Sequence, residues 1–389
     1  MRDTVWSRTL ATAQREELLA SDTPPAVADV VVVGAGLVGL CAALSLRRRG
    51  AGRVVVLDRG AVCGEASGAS AGGLWPAHEC LSMDSPEVAR RAAGMHTRLR
   101  EEFPCDYVSS GLLEPVAGEQ AVAAAERASR IRRAGFRAEL LGAADVQGLE
   151  PQLCHAGPAL HCPDDGSIHP LRLAAAISSR LRSRGVRICL GERVERVSRN
   201  GTAVLAGGSR IEAGAVVIAA GAWTPLLTRV LGWSPPIRPV RGVLMATEAF
   251  LPGTLRTVVV GDRYYYWQLA RGPLAGGGSE EEVGFERGVS PQIAADIERD
   301  WAERFPELAD VPFSARWSGF RPRCDDLQPV IGRVPGGGNA YVSAGHFRKG
   351  ILLAPLSGEL LARELAGEEP WEPARAMRPA RFPPHAPPE

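Results

Sequence analysis

Two periodicities alternate along the chain and divide it before any motif is sought. Residues 29–58 read DVVVVGAGLVGLCAALSLRRRGAGRVVVLD. The unbroken run Val30–Val33 predicts a strand buried on both faces, as in a parallel sheet. Apolar residues at 37, 40, 44 and 46 then predict a helix that Gly50 ends, and Arg53–Leu57 predicts a second strand finishing on Asp58. Helical patterns follow at 86–103 and 119–135. Residues 191–227 read as strand, hairpin, strand and turn, with the strand Ala215–Ala219 entering the small-residue turn Ala220, Gly221, Ala222 and Trp223. In DRYYYWQ, alternation puts Tyr264 and Tyr266 on one face and Tyr265 on the other. A last helix is predicted from Gly350 or Ile351, behind the turn AGHFRKG.

The first of these units carries chemistry. Gly34, Gly36 and Gly39 stand in G-x-G-x-x-G spacing between strand and helix. Gly34 permits the tight turn, Gly36 lets a pyrophosphate approach the backbone with Ala35 between them, and Gly39 lets helix and strand pack closely. The helix N-terminus offers N–H donors and positive potential to phosphate. Asp58, with Arg59 after it, lies where an acid accepts the ribose hydroxyls of adenosine. The Gly/Ala/Ser loop GEASGASAGGLWP at 64–76 follows directly, where a nicotinamide enzyme would begin another helix; its backbone suits a flat ligand, and Ser67 can hydrogen-bond phosphate.

Composition narrows the class. With 389 residues, two domains or one large domain with a second lobe is expected. A net charge of +1 gives no electrostatic reason to expect nucleic acid or an anionic membrane as partner. The eight cysteines contain no CxxC pair, so reduced thiols in a cytoplasm fit better than disulfides or zinc, and no metal is called for. The first 26 residues show no apolar signal region and read as a short amphipathic helix and a Pro-containing linker, and no apolar run reaches the ~18 residues of a membrane span. A homo-oligomer is left open.

VVVVGAGLVGLCAALSLRRRG, VVVLDRG, GEASGASAGGL, GSIHPLRLAAAI, VVIAAGAWTPLL, WSGFRPRCDDLQPVIGRVP and AGHFRKGILLAP together resemble the flavoprotein family of D-amino-acid, sarcosine and glycine oxidases. The last two stretches look most like glycine oxidase of the thiamine-pathway type. The resemblance implies an α/β fold, with a Rossmann-like FAD-binding domain of the glutathione-reductase type beside an antiparallel-sheet substrate lobe. It implies non-covalent FAD. Gly34, Gly36, Gly39 and Asp58 would hold the ADP half; Ser67 and Ala71, Gly72, Gly73 and Leu74 would pass pyrophosphate and flavin; Val194 would meet adenine through its backbone. The turn Gly345, His346, Arg348, Lys349, Gly350 and Ile351 would aim a helix N-terminus at the flavin, with the Lys349 ammonium in solvent.

Arg321 and Arg348 would clamp a substrate carboxylate, since a guanidinium fork gives two parallel charge-assisted hydrogen bonds. Tyr265 best matches the substrate-side tyrosine, with Tyr264 and Tyr266 as competitors. The activity implied is oxidative deamination of glycine or another small amine or amino acid, by hydride transfer from Cα to flavin N5. Dioxygen would be the acceptor, giving an imine, then an oxo acid, ammonia and hydrogen peroxide. A dehydrogenase with another acceptor, a larger secondary-metabolite substrate, or a non-catalytic flavin-binding protein are the alternatives. Residues 276–279 and Gln268 depart from the family pattern and suggest a looser substrate roof; Trp75 is bulky for a glycine pocket, and His78 and Glu79 could reach it. The expected division is an N-terminal extension (1–26), an FAD-binding domain (27–85, 152–236, 317–370), a substrate domain (86–151, 237–316) and a disordered Pro-rich tail (371–389).

Overall fold

The computed structural model describes residues 2–206, 208–369 and 371–383. Its first sheet is built on the strand Val27–Val33, whose apolar run lies between two parallel neighbours, Val54–Asp58 and Arg210–Ile218. Parallel pairing continues outward to Arg187–Leu190 on one side and Ala340–Ala344 on the other, and Val330–Arg333 closes that edge antiparallel. The hairpin Val194–Val197 and Ala203–Leu205 hangs from Arg210–Ile218.

Two helices lie side by side on one face of this sheet. Leu37–Arg48 packs against Gly350–Leu365, where a Cβ on Gly358 would run into the carbonyl of Cys41. A Cβ on Gly39 would strike the Gly34 carbonyl, so close helix–strand packing is the reason for that glycine. Both helices begin at the C-terminal ends of central strands, which brings two positive N-termini to one edge of the sheet.

The second sheet has the order Phe313–Cys324, Ile237–Thr247, Leu274–Gly277, Tyr265–Gln268, Val258–Val260, Leu112–Pro115, Ala159–Cys162 and Glu139–Leu141. All its pairings are antiparallel except that of Val258–Val260 with Leu112–Pro115. The helix Pro291–Arg304 covers one face through Trp301 and Ile297.

The structure moves some expected boundaries. Ala159–Cys162 belongs to the second sheet, although 152–236 was assigned to the FAD-binding domain, and the long strand Phe313–Cys324 carries the start of 317–370 into that sheet as well. The N-terminal segment forms two helices, Val5–Arg8 and Thr12–Leu19, with Trp6 and Leu18 buried. Within the expected disordered tail, Glu372–Met377 and Pro379–Arg381 form short 3-10 turns. They are held because Ala374 and Met377 are buried, Trp233 Nε1 donates to the Phe382 carbonyl (3.0 Å), and Arg381 Nε donates to Asp326 (2.7 Å). Residues 384–389 lie outside the described residues. No described helix is long and apolar enough to cross a membrane.

Candidate active site

A cleft of about 520 Å³ runs from the first sheet to the second, within the usual range for small-ligand sites. At its first end Gly34 has φ +116°, outside the range of L side chains, and a Cβ on Gly36 would lie 3.3 Å from Ser67 Oγ. The Asp58 carboxylate accepts from Ala35 N and Gly60 N, both at 2.8 Å, which locks the glycine turn to the second strand. Burial pushes the Asp58 carboxyl up, against the two backbone donors. Ser67 Oγ accepts from Leu37 N (3.1 Å) and so ties the Gly/Ala/Ser loop to the helix start.

Gly34, Gly36, Asp58, Arg59, Ser67, Ala71, Gly73, Val194, Ala220, Gly221 and Trp223 line the cleft, and so do Tyr265, Arg321, His346, Arg348, Lys349, Gly350 and Ile351. Five expected residues stand behind the wall. Ala35 is buried at the turn, Gly39 lies under Gly34, Gly72 and Gly345 carry positive φ beside Ile168 and Ile237, and Leu74 is packed in the core.

These residues fit a dinucleotide with an anionic centre. Gly36 opens one helix toward the cleft, Gly350 and Ile351 open the other, and small side chains between them leave backbone exposed to a ligand. Arg59 lies over the Trp223 ring (4.0 Å), and Trp223 stacks on Phe285 with centroids 4.8 Å apart.

The end of the cleft toward the second sheet carries Arg321 and Tyr265. Alternation sends Tyr265 into the cleft, while Tyr264 and Tyr266 enter the core on the other face, Tyr266 donating to Asp300 (2.8 Å). Arg321 Nη1 donates to the Ser279 carbonyl (2.7 Å), and Nη2 stands 3.4 Å from Tyr265 OH. Among the described residues no carboxylate lies within ion-pair distance of Arg321. Trp75 meets Tyr265 edge-on, with centroids 5.2 Å apart and planes at 81°, so an aromatic wall narrows this end.

Other expected placements change. Arg348 is engaged by Glu280, Nε donating at 2.6 Å, so its fork is not free to face a substrate carboxylate. Lys349 is buried rather than solvated: its ammonium donates to the Ser82 carbonyl (3.0 Å) and hydroxyl (3.2 Å). Burial lowers its pKa, opposed by Glu79 and Asp84. His346 turns into its own helix, Nε2 meeting Ser357 Oγ at 2.8 Å, and burial with the nearby Lys349 charge lowers its pKa to about 3. His78 points away to Glu114 (2.9 Å), whereas Glu79 lines the cleft.

The departures at 276–279 have a steric reason. A Cβ on Gly276 would enter the Tyr266 ring, and one on Gly278 the Tyr265 ring, so these glycines make room for the tyrosines. The roof beyond them is tied down. Glu280 pairs with Arg348, Glu281 with buried Arg241 and Glu282 with Arg323, while Arg287 reaches Glu65. Nothing in the motifs flagged Glu65, although it lines the cleft and meets Arg2, Arg59 and Arg287. The acidic run Glu280–Glu282 was a signal that could have been read against the arginines.

The model of the FAD dependent oxidoreductase family matches residues 29–364. The chain is 31% identical to glycine oxidase of Geobacillus kaustophilus over 350 residues, covering 86% of this chain and 92% of that one. It is 29% identical to a D-amino acid dehydrogenase of Methylobacterium sp., covering 88% and 96%. The crystal structure of Geobacillus kaustophilus glycine oxidase superposes with a TM-score of 0.86 at 28% identity, covering 92% of this chain and all of that one. A match across most of the chain, together with a cleft built for a dinucleotide, places this protein in the DAO family of FAD-dependent oxidoreductases.

Proposed function

We propose that this protein oxidises glycine or another small amine or amino acid at Cα, with dioxygen as the final acceptor. The observation that carries this reading is the Arg321 guanidinium: it lines the cleft, stands beside a tyrosine hydroxyl and has no carboxylate partner among the described residues. A half-buried guanidinium without an ion partner, set next to a tyrosine hydroxyl in a cleft, suits a substrate carboxylate. FAD, when bound, supplies a two-electron acceptor for the hydride that leaves Cα.

The residues then have positional tasks. Arg321 and Tyr265 fix the carboxylate, and with it the direction of the Cα–H bond. Trp75 and Tyr265 limit the volume beside Cα, which favours a small side chain or none. Arg348, compensated by Glu280, adds a second, weaker attraction for anions. The helix beginning at Gly350 presents N–H groups and positive potential where negative charge gathers during the reaction. The substrate amine becomes an imine, and water releases ammonia and an oxo acid from it.

The likeness to a D-amino acid dehydrogenase supports a second reading, the same carbon chemistry with an acceptor other than dioxygen. Incubating the holoenzyme in air with glycine, sarcosine and D- and L-alanine separates the two. Hydrogen peroxide equal to the oxo acid formed (with ammonia from glycine or alanine and methylamine from sarcosine) supports the oxidase; turnover only with an added quinone or dye supports the dehydrogenase; no turnover with either acceptor overturns both.

A further inference from the structure

The family region begins at residue 29, yet the segment ahead of it holds the loop that borders the cofactor cleft. Loop residues 64–67, 69–71 and 73 line that cleft, and they are almost all Gly, Ala and Ser. Within it Ser67 and Ser70 supply side-chain hydrogen bonds, and glycine and alanine bring high backbone freedom to the rest. Three of its carbonyls accept side-chain donors from outside the loop. Trp317 Nε1 donates to Ala69 O (3.1 Å) from the second sheet. The other two donors come from the N-terminal segment: Trp6 Nε1 to Ser70 O (2.7 Å) and Arg2 Nε to Gly64 O (2.8 Å).

Further contacts make this a fitted brace rather than a passing chain. Trp6 is 3% exposed, packs edge-on against His169 at 4.9 Å, and fills the space beside Gly72, where a Cβ would lie 3.3 Å from its ring. Arg2 Nη1 also donates to Ser318 O (2.7 Å), so one guanidinium spans the loop and the long strand that carries Arg321. Its remaining nitrogen pairs with Glu65, a cleft residue that also meets Arg59 and Arg287. Thr9 and Arg172 lock the base of the segment, through Thr9 Oγ1 with His169 Nε2 (3.0 Å) and Arg172 Nη2 with Thr9 O (2.8 Å).

We propose that Arg2 and Trp6 are positioning residues of the FAD site, holding loop 64–73 in the conformation that lets its backbone border the cofactor. Residues outside the family region thereby set FAD affinity and the environment of the bound flavin. The proposal rests on the family's cofactor and not on the identity of the substrate, so the two can fail separately.

Apoprotein of Trp6→Phe, Arg2→Met and Leu18→Ala variants is titrated with FAD by flavin fluorescence, and urea unfolding of each apoprotein is measured alongside. Leu18 is fully buried in the same segment but donates nothing to the loop through its side chain, so it reports general loosening. Trp6→Phe keeps an aromatic ring of smaller size and removes one donor; Arg2→Met removes three. The expected result is an FAD dissociation constant raised about tenfold in Arg2→Met and about fivefold in Trp6→Phe, as the loss of two donors to the loop (to Gly64 and Glu65) and of one (to Ser70) implies. The bound-flavin visible band should change shape in both, while Leu18→Ala keeps wild-type affinity and spectrum despite a lower urea midpoint. Wild-type affinity and spectrum in both loop-contacting variants overturn the proposal. So does a loss of affinity that simply follows loss of apoprotein stability across all three.

Discussion

Replacing Arg321 by methionine removes a cleft arginine with no ion partner among the described residues while keeping much of the side chain's length and apolar stem. In wild type, Nη1 is spent on the Ser279 carbonyl, and Nη2, 3.4 Å from Tyr265 OH, remains to meet a ligand together with the tyrosine. A hydrogen bond to a charged group is worth about 1.5–3 kcal/mol. Losing the guanidinium's charged contacts to a carboxylate, partly offset by water entering the space, amounts to about 3–4 kcal/mol, or a factor of roughly 10² to 10³ in kcat/KM. Because the carboxylate is bound in ground state and transition state alike, most of the loss belongs in KM. Arg321→Lys, with charge but no fork, should recover about tenfold. The orphaned Ser279 carbonyl costs about 1–2 kcal/mol of stability, visible as a lower melting temperature. Steady-state kinetics on glycine and on methylamine, which has no carboxylate, complete the assay: only glycine should suffer. FAD content should match wild type. A kcat/KM for glycine within threefold of wild type, with FAD bound, refutes the clamp.

Three further outcomes are expected. In Glu280→Gln, Arg348 loses its ion partner, a half-exposed pair worth about 0.2–1 kcal/mol, so KM for a carboxylate substrate should fall two- to fivefold; an unchanged KM places Arg348 outside the substrate's reach. Buried His346, His169 and His96, with pKa values lowered to about 3, 3 and 4 mainly by burial, bind fewer protons folded than unfolded. Their stabilisation is present above the unfolded value near 6.5 and is lost as pH falls from there toward 3, about 2 kcal/mol each by pH 5. Asp165, pushed up to about 7 by burial, and Asp58 and Glu150, also raised by burial, act in the opposite direction, so the histidine contribution is read by difference against His96→Gln. The change in urea midpoint from pH 6.5 to 5 should therefore be more positive in His96→Gln than in wild type, and an equal change in the two contradicts the assignment. Finally, Cys324 is buried away from the cleft with burial pushing its thiol up to about 12, so trichloroacetic acid should release all yellow colour into the supernatant; a yellow pellet shows a covalent flavin.

Local features were legible where neighbouring residues determine them. The first strand, its glycines and its helix follow from one stretch of about thirty residues, and the final helix begins at Gly350 as the turn before it suggests. Alternation alone separated Tyr265 from Tyr264 and Tyr266. What depends on distant pairing was hidden. Ala159–Cys162 could have joined either sheet, because a four-residue strand carries no address for its partner. Lys349 looked solvent-bound until Ser82, 267 positions away, supplied its acceptors. Arg348 looked free until Glu280 took it, and no spacing rule links those positions. The N-terminal brace was missed for the same reason: Trp6 and Arg2 act on residues some sixty positions later through backbone carbonyls, which have no sequence signature.

The most direct measurement is anaerobic mixing of the holoenzyme with glycine and a panel of small amino acids, following the flavin band near 450 nm. The account predicts bleaching by at least one small substrate carrying both amine and carboxylate, and slower or weaker bleaching in Arg321→Met at the same concentration. A wild-type flavin that dithionite bleaches but no amine or amino acid does would contradict the claim that Arg321 presents such a substrate to the cofactor.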